Sequence, residues 1–441
     1  MTISYALVLL GALFCIIVLR IIAQAKRIPE GLRLPPGPPG NLFLGNALDM
    51  PIQHGWEVFT RWAKVYGDII YLNVLGIQII VVNSADLVSE LLDKRSKIYS
   101  DRPDLPMLSD LMGFDWDFGV MHYGEWWRRH RKMFHQEFQP SSISKYTEIQ
   151  TRQTRSILRK FHETPHNFAE HLRYLSGAII MEVTYGFNVR PGDRYLEVAE
   201  KAMEAMAEAG VPGAFLVDIL PILKYVPEWM IGAGFKKKAR QIRVVATEVA
   251  EAPFSAVRRE FQNGTAQPSV LVSLLEKLEA QSNIPIDEET VIQNVTAVAY
   301  IAGADSTVSA MNAFILAMVL FPEAQRKAQE ELDSVLGTDR LPDFSNRPNL
   351  PYVNALCQEV LRWRPVTPLG VPHRVTQDDV YGNHFIPKGS IVIGNTWAIL
   401  HNEKDFGPEP DKFRPERFLD PKVKYPAIAF GAGRRYVLTV T

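Results

Sequence analysis

"AVAYIAGADSTVSAMNAFILAMVLF", residues 297–321, is apolar on almost every side of a helical wheel. A helix without a polar face has to be buried. Gly303 interrupts it, at a cost of about 1 kcal/mol relative to Ala. Asp305, Ser306 and Thr307 follow directly. A carboxyl and two hydroxyls in such a helix need hydrogen-bond partners or a wet cavity. Two readings are open. One is a kink whose hydroxyls bond locally to the backbone. The other, which we carry forward, is a groove where the glycine lets a flat ligand reach the backbone and the hydroxyls pass protons.

The pattern around this core is mostly helical. The central helix begins near Asp287-Glu288-Glu289, an acidic first turn, and stops at Phe321-Pro322. Helical spacing recurs over 85–96, from Glu125, over 144–161, over 195–210 and over 235–264, where Pro253 lies inside a basic amphipathic pattern. "GDIIYLNVLGIQIIVVNS" (67–84) reads as a hairpin turning at Leu75-Gly76. Short β-like pieces return in "VYGNHFIPKGSIVI" (380–393). The expected fold is mainly α with minor β: one large helical domain carrying a small β region.

Three further segments carry charge in helical or loop settings. "GEWWRRHRKMF" (124–134) puts Trp127 and Arg131 one turn apart, so an indole N–H and a guanidinium can both donate to a carboxylate. "CQEVLRWRP" (357–365) puts Glu359 and Arg362 on one face. "FRPERF" (413–418) supplies Glu416 and Arg417. Each alone reads as ordinary surface charge.

Bulk composition excludes several classes. The 441 residues are 47% hydrophobic and carry a net charge of -1, which leaves no basic footprint for nucleic acid. Two cysteines, Cys15 and Cys357, cannot build a disulfide framework or a multi-cysteine zinc site. No metal-ligand cluster is legible. The N-terminus is long and apolar from Ile3 to Ala23, enough to span a bilayer if Arg20 snorkels. "AQA" (23–25) has the form of a signal-peptidase site, but Arg20, Lys26, Arg27 and Arg33 all follow the apolar run. Positive-inside bias then places the body in the cytosol. Glycosylation at Asn263 or Asn294, both in acceptor patterns, would refute that orientation. "LPPGPPG" (34–40) reads as a semi-rigid spacer. The expected divisions are 1–27, a transmembrane signal anchor and its flank; 28–45, a proline-rich hinge; and 46–441, the catalytic body.

Taken in chain order, Trp127/Arg131, Ala302-Gly303-Ala304-Asp305-Ser306-Thr307, Glu359/Arg362, Pro415-Glu416-Arg417-Phe418 and a final Phe-Gly-Arg loop form a specific series. It resembles the cytochrome P450 family of haem-thiolate monooxygenases over nearly the whole chain. The anchor and spacer are similar to the microsomal class. "PHRVTQDDVYGNHFIPKGS" (372–390) and "TWAILHNEKDFGPEPDKFRPERF" (396–418) look closest to fungal membrane-bound members.

The resemblance implies haem b (iron protoporphyrin IX), electrons from NADPH through a flavoprotein reductase, and a small apolar substrate. It implies the endoplasmic reticulum membrane with the body facing the cytosol. Glu359, Arg362 and Arg417 would form a buried charged triad. Trp127, Arg131, Arg374 and Arg435 would hold the haem propionates. Gly303 would pass close over the haem face. Asp305 and Ser306, with Thr307 beside them, would deliver protons. Ser306 stands where the family usually has Thr, which keeps the hydroxyl and loses the methyl that restricts its rotamer.

The family's ligand loop runs Phe, two residues, Gly, one residue, Arg, one residue, Cys, one residue, Gly. Phe430, Gly433 and Arg435 match; Val437 stands at the Cys position and Thr439 at the second Gly. An axial thiolate pushes electron density onto iron, and valine has no donor atom. Two expectations follow. The sequence is a C-terminally truncated monooxygenase, inactive as written, whose tail "VLTVT" runs into an intron. Alternatively, it is a non-catalytic truncated membrane protein or a pseudogene product.

Overall fold

The computed structural model describes residue 11 and residues 28–211, 213–282 and 285–436. The expected anchor (Ile3 to Ala23) lies outside the described residues apart from Gly11, and Val437 and Thr439 lie outside them altogether. The chain divides into two compact units.

The first unit comprises residues up to Pro103, Thr367–Asn402 and Gly431–Tyr436. Its hairpin forms as expected, β1 (Ile69–Val74) against β2 (Ile77–Val82), with Ile69 opposite Val82 and Val74 opposite Ile77. Leu75 and Gly76 both have positive φ (51° and 86°), the geometry that matches strand twist in a two-residue turn. The later β-like pieces become β3 (His373–Arg374), β4 (Asp379–Tyr381), β5 (His384–Ile386) and β6 (Ile391–Gly394). The main sheet runs β1-β2-β6-β3. Its β2–β6 pair is parallel, with Ile79 opposite Ile391. Helix α1 (Gly55–Tyr66) covers one face: Phe59 packs with Ile70, Leu72, Ile79, Val81, Ile391 and Ile393.

The proline-rich stretch departs from its expected role as a spacer. Tyr71 N donates to Pro36 O at 2.9 Å, and Phe385 N to Arg33 O at 2.8 Å. Asn46 ties the next turn, accepting from Asn73 N at 3.0 Å and donating to Pro38 O at 3.0 Å. Proline lacks an N–H but keeps its carbonyl, so an extended proline segment can still accept from a strand edge. A Cβ at Gly37 would lie 2.1 Å from Tyr71 O, which is why glycine sits at this approach.

The second unit comprises Asp104–Val366 and Glu403–Phe430, together with the undescribed tail. It holds α2 (Glu125–Phe138), α3 (Thr147–Glu163), α4 (Phe168–Tyr185), α5 (Arg194–Ala209), α6 (Gly234–Gln262), α7 (Val270–Glu279), α8 (Glu288–Leu320), α9 (Pro322–Leu336) and α10 (Pro351–Trp363). Among the described residues α8 is the one helix long and apolar enough to cross a membrane. Here its first half is a core element: Val291, Ile292 and every residue from Asn294 to Ile301 are buried. It packs against α2, α4, α5, α6 and α7, most extensively against α4. A second apolar cluster joins its C-terminal half to α10 through Ala317, Met318, Tyr352, Leu356, Trp363 and Phe413. Asn294, one of the two glycosylation patterns, is buried beside His130, with its Nδ2 at 3.1 Å from His130 Nε2.

Candidate functional site: a buried ion network, a polar helical turn and a basic pocket

In the second unit, α10 carries Glu359 and Arg362 three residues apart, and both are fully buried. Their pairing is bidentate: Arg362 Nε to Glu359 Oε2 at 2.7 Å, and Nη2 to Oε1 at 2.9 Å. Arg417 completes the triad from the short helical turn Pro415–Leu419, its Nε 3.0 Å from Glu359 Oε1. Arg414 N adds a fourth bond to that carboxylate at 2.7 Å. The remaining guanidinium N–H groups reach carbonyls: Arg417 Nη1 bonds Phe406 O, and Arg362 Nη2 bonds Lys412 O at 3.3 Å. Burial lowers the Arg417 pKa, Glu359 opposes that shift, and a guanidinium stays charged in either case. Glu416, adjacent in the sequence, pairs instead with Lys327.

The polar turn of α8 behaves differently from its buried first half. Ala302, Asp305, Ser306 and Thr307 are exposed, whereas Ile301 and Val308 are buried. Ser306 Oγ donates to Ala302 O at 2.8 Å. That is the local backbone bond of the first reading, and it coexists with an open polar surface. Gly303 turns elsewhere than expected. A Cβ there would meet Ile180 Cγ1 at 2.7 Å, and its carbonyl accepts from Ser176 Oγ at 2.7 Å. The glycine admits a neighbouring helix; the surface available to a flat ligand is that of Ala302, Asp305 and Ser306.

Trp127 and Arg131 sit on α2. Trp127 is buried in the main core against Tyr123, ring centroids 5.2 Å apart. Arg131 is half-buried, and desolvation lowers its pKa. Phe430 stacks on Tyr425 at 6.3 Å.

The other predicted anion-binding residues belong to the first unit. Arg374, on β3, donates through Nε (2.9 Å) and Nη2 (2.7 Å) to Asp101 Oδ2. Arg435, on the turn Gly433–Arg435, is buried and donates through Nε to Ser100 O at 2.6 Å. Gly433 takes φ 67° there, and a Cβ would lie 2.2 Å from Leu92 O. Its N–H donates to Asp93 Oδ1 at 2.6 Å.

One residue of this group has no counterpart in the sequence reading. Arg102 is buried, and its Nη1 donates to Val371 O (2.7 Å) and Pro372 O (2.8 Å). Its signal was a lone arginine before a proline in "SDRP" (100–103), too short to separate from any loop. His373 lies among these cations, its Nδ1 2.7 Å from Tyr99 O. Burial, and then the Arg102 charge, hold its pKa well below the usual histidine value. Arg102, Arg374 and Arg435 thus gather along residues 100–102 and 371–374, with Asp101 as the carboxylate bound there. That excess of buried positive charge fits an anionic group such as a porphyrin propionate.

The expected ligand position, Val437, lies outside the described residues. Among the described residues no cluster of His, Cys, Asp and Glu could hold a metal ion. Cys357, the described cysteine, is on α10, and desolvation raises its thiol pKa, away from thiolate character.

Comparison with known proteins identifies the family. The sequence model of the family described as Cytochrome P450 matches residues 35–436. A cytochrome P450 monooxygenase of Coprinopsis cinerea is 44% identical over 92% of this chain and 78% of its own length. A second, from Armillaria gallica, is 43% identical over 98% of this chain and 85% of its own. A tryptamine 4-monooxygenase of Psilocybe cyanescens is 39% identical over 94% and 83%. Identity of this degree, along chains covered almost end to end, means that the chain belongs to the cytochrome P450 family of haem-dependent oxidoreductases.

Proposed function

We propose that the chain is built as a membrane-anchored monooxygenase of the endoplasmic reticulum, inserting one oxygen atom of O2 into a small apolar organic substrate. Its electrons come from NADPH through a flavoprotein reductase. The observation that carries this reading is the exposed Asp305-Ser306-Thr307 turn on an otherwise apolar core helix. When bound, the haem supplies the oxygen-activating chemistry. The chain's own residues supply the rest. Arg102, Arg374 and Arg435, all of the first unit, supply the cationic side chains that fit its anionic edge. Ser306 spends its hydroxyl proton on Ala302 O, which leaves its oxygen lone pairs free to accept a proton in transit. Asp305, on the same turn, is exposed to solvent. The relative named for tryptamine is consistent with a small organic substrate.

A second reading is favoured by one residue. Val437 stands where the axial thiolate belongs, so the polypeptide as written is non-catalytic. The purified full-length chain, reconstituted with haem, should give no thiolate-type Soret band when reduced under carbon monoxide. Such a band would show that the ligand lies elsewhere and would overturn this assignment. Sequencing the transcript tests its origin: an intron boundary at codon 437 is expected, and transcripts that all encode Val437 refute it.

A further inference from the structure

The turn that carries Asp305 and Ser306 is gripped from behind by α4, and nothing in the family-level series of motifs points to that helix. Ser176 is 2% exposed. Its Oγ donates to Gly303 O at 2.7 Å. One turn further along α4, Ile180 fills the notch left by the missing Gly303 side chain, with Cγ1 and Cδ1 at 2.7 and 2.8 Å from where a Cβ would be. A hydroxyl and a methyl group thus engage the same residue of α8.

The backbone consequence is specific. In an α-helix the carbonyls of 302 and 303 accept the N–H groups of 306 and 307. Each carbonyl oxygen has a second lone pair. On 302 it takes the Ser306 hydroxyl, from within the helix. On 303 it takes the Ser176 hydroxyl, from outside it. Two successive carbonyls therefore carry an extra donor, and such donors tilt carbonyls and open the helix locally. The intrahelical donor alone leaves the helix free to roll. The donor on α4 removes that freedom, because α4 is itself packed against α3, where Gln153 Nε2 donates to Glu182 Oε2 at 2.8 Å.

We infer that Ser176 is a positioning residue: its bond to Gly303 O, with Ile180 in the glycine notch, sets the roll and opening of α8 at residues 302–307 and so the direction in which Asp305 and Ser306 face. This rests on reading that turn as the proton relay, but its test does not need haem. Amide hydrogen exchange is measured by mass spectrometry on the full-length apo chain. Ser176→Ala should speed exchange across residues 303–308 by about tenfold, the worth of one buried hydrogen bond. Exchange at 291–298 of the same helix and in α10 should not change. Ser176→Thr, which keeps the hydroxyl, should restore protection. Gly303→Ala should speed exchange in both α4 (176–183) and α8 (300–307), because Ile180 has to move. The inference fails if Ser176→Ala leaves 303–308 within twofold of the parent. It also fails if protection is lost equally along all of α8 and α10, the mark of a merely global effect. A haem-binding failure at residue 437 would leave these outcomes untouched, so the two readings fall separately.

Discussion

Glu359→Ala is the perturbation whose cost the structure specifies best. The carboxylate accepts four hydrogen bonds, two from Arg362 (2.7 and 2.9 Å), one from Arg417 Nε (3.0 Å) and one from Arg414 N (2.7 Å). Arg362 and Glu359 are both fully buried, and Arg417 nearly so. Truncation therefore strands two desolvated guanidiniums and a backbone N–H. Arg417 keeps the carbonyls of Phe406 and Lys412, and Arg362 keeps that of Lys412. Those residual bonds hold the loss within the range for breaking a buried ion pair, about 3–5 kcal/mol. The geometry also ranks the series. Arg417→Ala should cost less, because the bidentate Glu359–Arg362 pair survives; Arg362→Ala should fall between, leaving Glu359 with Arg417 and the Arg414 N–H. The assay is urea unfolding of the full-length chain, followed by tryptophan fluorescence. Trp363 reports locally: it packs on Phe321 and Phe413, both at 5.6 Å, and its indole N–H bonds Asp411 O at 2.9 Å. A loss under about 1 kcal/mol for Glu359→Ala, the level of an exposed pair, would refute the reasoning. So would Arg417→Ala proving the costlier change.

Three further outcomes are expected. His373 is held well below its usual pKa by burial and the Arg102 charge, so on acidification the unfolded chain binds a proton that the folded chain refuses. Stability then falls by about 1.4 kcal/mol per pH unit below about pH 6.5 for that group, and His373→Gln should show a shallower loss of urea midpoint between pH 7.5 and 5.5; parallel losses would contradict the assignment. Asp218 behaves oppositely: burial raises its pKa to about 6, against the bond from Met107 N, so its favourable contribution is present at acid pH and disappears as pH rises through 6. Asp218→Asn should stabilise the chain by about 1 kcal/mol at pH 7.5, discounted for partial solvent access, and by nothing measurable at pH 4. Gly433→Ala should displace the 431–436 loop, because the new Cβ meets Leu92 O at 2.2 Å in a left-handed conformation, a strain of about 1–3 kcal/mol; faster proteolytic cleavage within the loop is the readout, and unchanged cleavage would count against it.

Local periodicity revealed much of this architecture. The hairpin, α2, α6, α8 and α10 all stand within a few residues of where spacing and turn residues put them. Local pattern showed the ion network as two bland fragments that only the family resemblance joined into a triad; its burial depends on Pro415–Leu419 closing over α10, 50-odd residues away in sequence. Helix α4 escaped for a physical reason. It packs against α8 and against α3, so "FAEHLRYLSGAIIMEVTY" shows no single apolar stripe. The parallel β2–β6 pair joins segments some 310 residues apart, a pairing that no local pattern encodes. Arg102 hid because a buried arginine differs from a surface one only in what surrounds it. Gly303 was noticed for the right anomaly, a glycine in mid-helix, while the group that its absent side chain admits came from α4.

The docking of the proline-rich stretch has a mechanical consequence. Residues 33–38 link two sheets, Arg33 O accepting from Phe385 of the β4–β5 pair and Pro36 O from Tyr71 of β1. A load applied to the chain ahead of Ile28 would therefore be borne by strand-edge hydrogen bonds pulled in shear, and handed on to the main sheet through Tyr71. Bending at the spacer would not absorb it.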